Sequence, residues 1–163
     1  MQSLRRWNDD SAICFSIFSY PTRMKSYPIE AFEHLVLCVR NDDEMAQQWL
    51  VDNDYRELSE FWDAFEGVEK SFKWLMENGY RPLAATVDAM AGDDKAKVFL
   101  ITSGNRELAA FADACEGKAP AVNWLIQFGH KGWILLAREI AAREKKKDKS
   151  FFWSLLNFGN PFR

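Results

Sequence analysis

Apolar side chains recur along this chain in steps of three and four residues, and glycines interrupt them at fixed intervals. One such set has the i, i+3, i+4, i+7 spacing of a single helix face, and it consists of Leu58, Phe61, Trp62 and Phe65. Gly67 predicts the end of this helix, because glycine tolerates the left-handed conformation found at many helix C-termini. A second helix is predicted from about Val68 to Met76, and Gly79 ends it. The stretch therefore predicts a hairpin of two short helices.

The hairpin pattern recurs every 25 residues. An aromatic residue followed by leucine stands at Trp49, Trp74, Phe99 and Trp124. Single-residue columns are formed by Arg56, Arg81 and Arg106, by Asp63, Asp88 and Asp113, by Gly67, Gly92 and Gly117, and by Gly79, Gly104 and Gly129. A short helical hairpin cannot bury its apolar face alone, so neighbouring units must cover it. The sequence predicts an all-α fold: a solenoid-like stack of about five 25-residue helical hairpins with capped ends.

The two ends of the chain depart from the repeat, and the 163 residues are expected to form one domain. We assign residues 1–28 to an N-terminal cap segment, 29–158 to the helical repeats and 159–163 to a C-terminal tail. Periodicity leaves residues 12–18 open between a strand and a helix, and a helix covering the first repeat is favoured. Residues 31–49 fit the repeat register only loosely.

The last repeat also differs from the others. Ala142 stands where the other units have glycine, so its first helix is predicted to run on toward Lys147. The outer-helix sequence then returns five residues late, since Leu155-Leu156-Asn157-Phe158-Gly159 echoes Leu125-Ile126-Gln127-Phe128-Gly129 at a spacing of 30. A separate closing helix is therefore predicted at the end of the chain.

Residues 66–80 and 116–130 resemble the second half of an ankyrin repeat. In that family a glycine ends the inner helix, and a second glycine twelve residues later ends the outer helix after a leucine-rich run. Arg81-Pro82-Leu83 is similar to the helix-opening Thr-Pro-Leu of ankyrins. Ankyrin repeats are longer, at about 33 residues, and the residues missing here are those of the β-hairpin fingers. The resemblance covers residues 54–130 and implies an ankyrin-like helical stack without fingers, with a protein-binding role by analogy.

The arginine and aspartate columns are the most regular polar feature. One interpretation is a charged ladder that grips a partner; the other, which we favour, is that each aspartate pairs with an arginine or with a turn amide. The tryptophans at 49, 74 and 124 are predicted to be core, because Phe99 shares their column. Trp62 and Trp133 have no aromatic counterpart in neighbouring units, and packing is favoured over ligand stacking for both.

The C-terminal aromatic cluster Phe151-Phe152-Trp153 has two interpretations. It caps the last repeat, or it stays exposed as a contact with a second copy or with another partner, since large apolar patches mark interfaces. The candidate partner-binding residues are Arg56, Trp62, Arg81, Arg106, Trp133, Phe151 and Trp153.

Charge and cysteine content narrow the function classes. The net charge is −3, which argues against a nucleic-acid-binding surface, and the run Lys145–Lys149 is predicted to be a solvated helix end. A weaker hypothesis is nucleic-acid binding through this run and Arg143. Cys14, Cys38 and Cys115 lack metal or disulfide spacing, which favours reduced thiols and a cytoplasmic location. Since no apolar run approaches the ~18 residues that span a bilayer, no membrane association is expected.

Candidate chemistry is sparse. His34 and His130 are the only histidines, and Cys115 shares a column with the apolar residues Phe65 and Met90. No phosphate-binding loop, dinucleotide fingerprint or metal-spaced cluster is present in the sequence, so neither catalysis nor a cofactor or metal is expected. The sequence favours a helical-repeat module that binds a protein or peptide and has no enzyme activity. The alternative is a small-molecule-binding or enzymatic domain with a pocket between the N-terminal segment and the repeats.

Overall fold

Nine α-helices follow one another without an intervening strand over residues 24–157, the part of the chain that the computed structural model describes. Side chains are described for residues 24–146. The helices are α1 (Ile29–Asn41), α2 (Glu44–Asp52), α3 (Arg56–Phe65), α4 (Glu69–Glu77), α5 (Arg81–Met90), α6 (Asp94–Thr102), α7 (Arg106–Cys115), α8 (Ala119–Gln127) and α9 (Lys131–Asn157). The predicted all-α stack of helical hairpins is confirmed.

Each repeat consists of an inner, odd-numbered helix and an outer, even-numbered helix that pack against each other. Every outer helix also contacts the next inner helix, which links the units into a stack. The predicted glycine caps are confirmed, since Gly67, Gly92 and Gly117 have φ angles of 97°, 92° and 83° after the inner helices.

The first repeat, α1 with α2, is more regular than its sequence indicated. Asp42 and Asp54 occupy the two positions where the later units have glycine, and they adopt the left-handed conformation with φ angles of 51° and 64°. Aspartate tolerates this conformation better than most residues. The register was hidden because two aspartates replaced the glycines that mark it elsewhere.

The first and last inner helices also pack against each other, so the stack closes on itself. Successive contacts run α1–α3, α3–α5, α5–α7, α7–α9 and α9–α1, and we call these five helices the inner ring. Its centre is filled by side chains: the rings of Phe61 on α3 and Phe111 on α7 lie 6.3 Å apart, and both residues are fully buried. The protein is therefore a helical stack with joined ends.

An ion pair, an aromatic contact and a close approach at a glycine join α1 to α9 near residues 32–40. The Arg40 guanidinium donates two hydrogen bonds, of 3.1 and 2.8 Å, to the Glu139 carboxylate. The rings of Phe32 and Trp133 meet edge to face at 4.9 Å. Gly132 completes the contact, because any Cβ at this position would overlap the ring of Phe32.

The outer helices bury one leucine each, and Leu50, Leu75, Leu100 and Leu125 are all inaccessible to solvent. The preceding aromatic residues are partly buried and pack against the core, so the prediction that the tryptophans at 49, 74 and 124 lie in the core is confirmed in part. They also stack on the residue six positions later, as the ring pairs Trp49–Tyr55, Trp74–Tyr80 and Trp124–His130 do. Because an outer helix is covered on one side only, its aromatic residue lies at the edge of the core.

The last helix differs from the prediction of two separate helices. α9 runs without a break from Lys131 to Asn157, through the position where a turn was expected after Lys147. No glycine or proline occurs between Gly132 and Gly159, and alanine, arginine, glutamate and lysine favour helix in between. The helix predicted around residues 12–18 lies outside the described residues.

Candidate functional site

The three arginines of the repeat lie on the surface as the first residues of α3, α5 and α7. Arg56 pairs with Glu60 one turn later at 3.0 Å, and its guanidinium lies 4.7 Å from the centre of the Trp74 ring. This contact shows that the Arg56 side of an inner helix faces the outer helix of the same unit. Partner binding by Arg56, Arg81 and Arg106 stays a prediction.

The aspartate column pairs with the preceding outer helix, and the predicted pairing with arginine is wrong for both aspartates whose partners are described. Asp63 accepts hydrogen bonds of 2.9 and 3.0 Å from the Gln47 side-chain amide. Asp113 accepts hydrogen bonds of 2.8 Å from both Lys97 and Lys118. The contacts with Gln47 and Lys97 join successive units, whereas Lys118 caps the outer helix of the same unit. The column therefore serves the packing of the stack.

Trp62 and Trp133 are core residues, with 4% and 7% of their surface exposed. Trp133 packs on Phe111 and Phe32 with ring centres 4.9 Å away in both cases. The packing interpretation describes both tryptophans, and their inclusion among the partner-binding candidates is wrong because no partner can reach them in this fold. Phe151 and Trp153 belong to α9, but their side chains lie outside the described part of the chain.

Arg143 of α9 covers Trp62 and ties three elements together. Its guanidinium lies 4.9 Å from the Trp62 ring centre and donates to the Val39 carbonyl at 2.7 Å. It also donates to the carboxylates of Asp42 at 3.1 Å and Glu66 at 3.2 Å. Since each of its contacts is with the C-terminal end of α1 or α3, Arg143 serves the closure of the inner ring.

The N-terminal ends of the inner helices meet at residues 24–28. Met24 donates its backbone amide to the Asn105 side chain at 2.9 Å, and Lys25 forms an ion pair with the buried Glu57 carboxylate. Tyr27 packs against Phe32, Tyr55 and Trp133 at 6.0–6.3 Å. Burial raises the pKa of the Tyr27 hydroxyl, and the charge of Glu57 adds to this effect. The Tyr27 ring thus fills the space between this segment and the inner ring.

Cys38, Cys115 and the two imidazoles pack against neighbouring side chains. Burial raises the pKa of Cys38 to about 11, and it also raises the pKa of Cys115, so both thiols are protonated and poorly nucleophilic at neutral pH. His34 stacks on Trp49 at 3.7 Å, and His130 stacks on Trp124. Among the described residues, no group of three or more His, Cys, Asp or Glu side chains could hold a metal ion.

An open apolar groove of about 400 Å³ lies along α9, between the end of α8 and the start of α1. Its lining consists of Ile29, Ile126, Lys131, Ile134, Leu135 and Arg138. Three of these side chains are well exposed: Ile29 at 50%, Ile126 at 55% and Leu135 at 36%. Phe128, two residues after Ile126, is 57% exposed. We call this surface the α9 groove.

The α9 groove lies where a fifth outer helix would pack. The repeat places Lys131 and Leu135 of α9 in the columns of Arg56, which contacts the outer helix of its own unit, and of Glu60, which pairs with Arg56. α9 has no outer helix of its own within residues 24–157, because it continues straight past Ala142. The groove is therefore the uncovered face of an inner helix.

One sequence signal could have located this surface. In the three preceding units the column of Leu135 holds Glu60, Ala85 and Ala110, and the column of Ile134 holds Ser59, Ala84 and Ala109, while the first unit has Leu35 and His34 there. Compared with these three middle units, the last unit has large apolar residues in both columns. Such a change at one end of an array indicates a different neighbour there.

None of the helices between residues 29 and 157 combines the length and the hydrophobicity of a membrane-spanning segment. Comparison of the chain with protein-family models, with curated proteins and with solved structures finds no match.

Proposed function

We propose that this protein is a helical-repeat module that binds another polypeptide and carries out no catalysis, and that the α9 groove is its binding surface. The observation that carries the proposal is an apolar face of α9 that no outer helix of its own unit covers within residues 24–157. On α1, α3, α5 and α7 an outer helix of the same unit packs on the inner helix. Exposed apolar patches of this kind, rimmed by charged residues such as Lys131 and Arg138, mark protein interfaces.

The shape of the groove favours a helical ligand. Each of the four outer helices buries one leucine, so a helix that presents a large apolar residue to the groove matches the surface. The ankyrin-like glycine spacing agrees with a binding role, since ankyrin repeats present helical stacks to protein partners. The alternative of a pocket beneath the N-terminal segment is less well supported, because Tyr27 occupies the space next to the inner ring.

The test is a photo-crosslinker placed in the full-length chain. p-Benzoylphenylalanine replaces Ile126 at the rim of the groove, and in the control it replaces Val98, which is 59% exposed on α6. We expect adducts at position 126 in excess of those at 98, with the adduct partner identified by mass spectrometry. Equal yields at the two positions would contradict the proposal.

Binding is then measured with purified components. Leu135→Asp places a charge in the floor of the groove and is expected to weaken the interaction at least tenfold, as loss of an interface anchor of about 1.4 kcal/mol does. Val98→Asp makes the same kind of change on the surface of α6 and is expected to leave affinity unchanged. A partner that binds both variants equally is bound elsewhere on the molecule.

A further inference from the structure

The α9 groove lies where an outer helix would pack, and the four outer helices of the other units show which side chains such a helix buries. Each presents a small residue and, four positions later, a leucine: Ala46–Leu50, Ser71–Leu75, Ala96–Leu100 and Ala121–Leu125. All four leucines are fully buried. In the fifth unit the 25-residue step arrives at Lys146 and Ser150, which cannot supply an apolar anchor at that place.

The missing outer-helix sequence is nevertheless present in the chain, five residues late. At a step of 30 residues from α8, Leu155 takes the place of Leu125 and Phe151 takes the place of Ala121. The rest of the motif, from Leu156 to Gly159, follows in the order found after Leu125. Residues 149–157 therefore carry the leucine of an outer helix and the sequence that follows it, with phenylalanine in place of the small residue.

Residues 149–157 lie far from the α9 groove of the same chain. α9 is continuous from Lys131 to Asn157, and Leu155 lies twenty residues beyond Leu135. At 1.5 Å per residue the separation along the helix axis is about 30 Å. Residues 144–146 are exposed, as expected of a helix that has left the inner ring. We call residues 144–157 the α9 extension.

We propose that the α9 groove is filled by residues 149–157 of a second copy of this chain, in a dimer whose α9 extensions are exchanged. This inference rests on the proposed function and names the occupant of the same groove. An uninterrupted α9 cannot fold back on itself, whereas a second copy brings the outer-helix sequence to the groove from outside. In a twofold dimer the exchange is reciprocal, so each copy gives one extension and receives one.

The test uses full-length chains and two complementary variants. Leu135→Asp damages the groove and leaves the extension intact, while Leu155→Asp damages the extension and leaves the groove intact. We expect the wild-type chain to be a dimer in native mass spectrometry and analytical ultracentrifugation. Each variant alone is expected to dimerise at least tenfold more weakly, and Val98→Asp, the matched control on α6, is expected to dimerise as wild type.

Mixing the two variants gives the decisive result. A heterodimer retains one undamaged extension in one undamaged groove. An equimolar mixture is therefore expected to dimerise under conditions in which each variant alone stays monomeric. A mass tag on one variant identifies the heterodimers. If the mixture stays monomeric, or if either variant alone dimerises as wild type, the exchange is overturned. Should Leu135→Asp lower the unfolding temperature, Ile126→Asp on the rim takes its place.

The photo-crosslinker at position 126 separates this inference from the proposed function. An adduct with residues 149–157 of another copy supports both. An adduct with a different protein, with a monomeric wild-type chain, overturns the exchange and leaves the binding module standing. An adduct with residues 149–157 of the same chain means that α9 breaks and fills its own groove, which overturns both. Absence of any adduct in excess of position 98 also overturns both.

Discussion

Gly132 and Phe32 meet where the last inner helix of the stack reaches the first, and the ring of Phe32 occupies the place of a side chain on Gly132. The three inner helices between α1 and α9 carry Glu57, Pro82 and Glu107 in the same column, where no first helix has to be accommodated. Glycine is unfavourable within a helix by about 1 kcal/mol. Its presence here indicates that close approach of α1 and α9 outweighs that cost.

Gly132→Ala is expected to lower the free energy of unfolding by about 1–2 kcal/mol, because overpacking outweighs the gain in helix propensity. Urea unfolding followed by circular dichroism measures the change. In a Phe32→Ala background the obstructing ring is gone, so the same substitution should cost nothing or stabilise the protein. An equal loss in both backgrounds would mean that Gly132 acts independently of Phe32.

Asp54→Gly is expected to stabilise the protein. Asp54 has a φ angle of 64°, in the region that glycine adopts without steric strain, and its side chain is exposed. We expect the free energy of unfolding to rise by about 0.5–1 kcal/mol, since relief of strain exceeds the added entropy of the unfolded chain.

The matched control for this prediction is Gly104→Asp, two units further along in the same column. Gly104 has a φ angle of 83° and open space around the position of a Cβ, so backbone strain is the main change. A loss of about 1 kcal/mol is expected in urea unfolding. If the two substitutions shift stability in the same direction, the column does not impose a common backbone conformation.

Most of the helix boundaries could be predicted from the sequence, because glycines at a constant spacing mark the end of each helix. The first unit was difficult to recognise in the sequence because Asp42 and Asp54 stand in place of the glycines. Both adopt the left-handed conformation that glycine has in the later units. Packing, the favoured interpretation of Trp62, agrees with its burial, but the residue that covers it, Arg143, lies 81 positions away and could not be identified from the sequence.

Closure of the inner ring could not be predicted, since the curvature of a stack depends on small rotations between units that no residue spacing records. Gly132 is the sequence feature that reflects the close approach of α9 to α1. The α9 groove was predictable in part. Leu135 differs from Glu60, Ala85 and Ala110 in the three preceding units, although the first unit also has leucine there, at Leu35. An apolar residue in this column marks an uncovered surface only if no outer helix follows, and the sequence predicted that one does.

Arg143→Ala is expected to destabilise the protein by about 1–3 kcal/mol, because the Val39 carbonyl and the Glu66 carboxylate lose a charged donor and Trp62 loses its cover. Arg143→Lys should restore little of this, since an ammonium group cannot reproduce the planar, forked contacts. Lys145→Ala, an exposed position on α9, is the control and should change stability by less than about 0.5 kcal/mol. Thermal and urea unfolding of the three variants provide the measurement, and full rescue by lysine would contradict the assigned geometry.

Asp113 and Asp63 occupy the same column, and their contributions to the free energy of unfolding are expected to depend on pH in opposite directions. Burial alone would raise the pKa of Asp113, but hydrogen bonds from Lys118 and Lys97 outweigh it, and the pKa lies below its ordinary value. Burial raises the pKa of Asp63, and the neutral Gln47 amide offsets this only in part. The difference arises because Asp113 is bonded to two cations, Lys97 of the preceding outer helix and Lys118 of its own unit, whereas Asp63 is bonded to the neutral Gln47 amide.

A carboxyl group whose pKa is lowered by folding stabilises the protein above its unfolded pKa, and the contribution is lost as pH falls through the folded pKa. The stability advantage of wild type over Asp113→Asn should therefore be at most about 1 kcal/mol at neutral pH. It should decline from about pH 5 downward, as the carboxyl is protonated. For Asp63 the sign reverses: the folded state binds the proton more tightly, so wild type should gain stability relative to Asp63→Asn as pH falls through the raised pKa. Urea unfolding from about pH 7 to about pH 3 gives both differences. Parallel pH slopes for the two aspartates would show that Lys97 and Lys118 do not set the ionisation of Asp113.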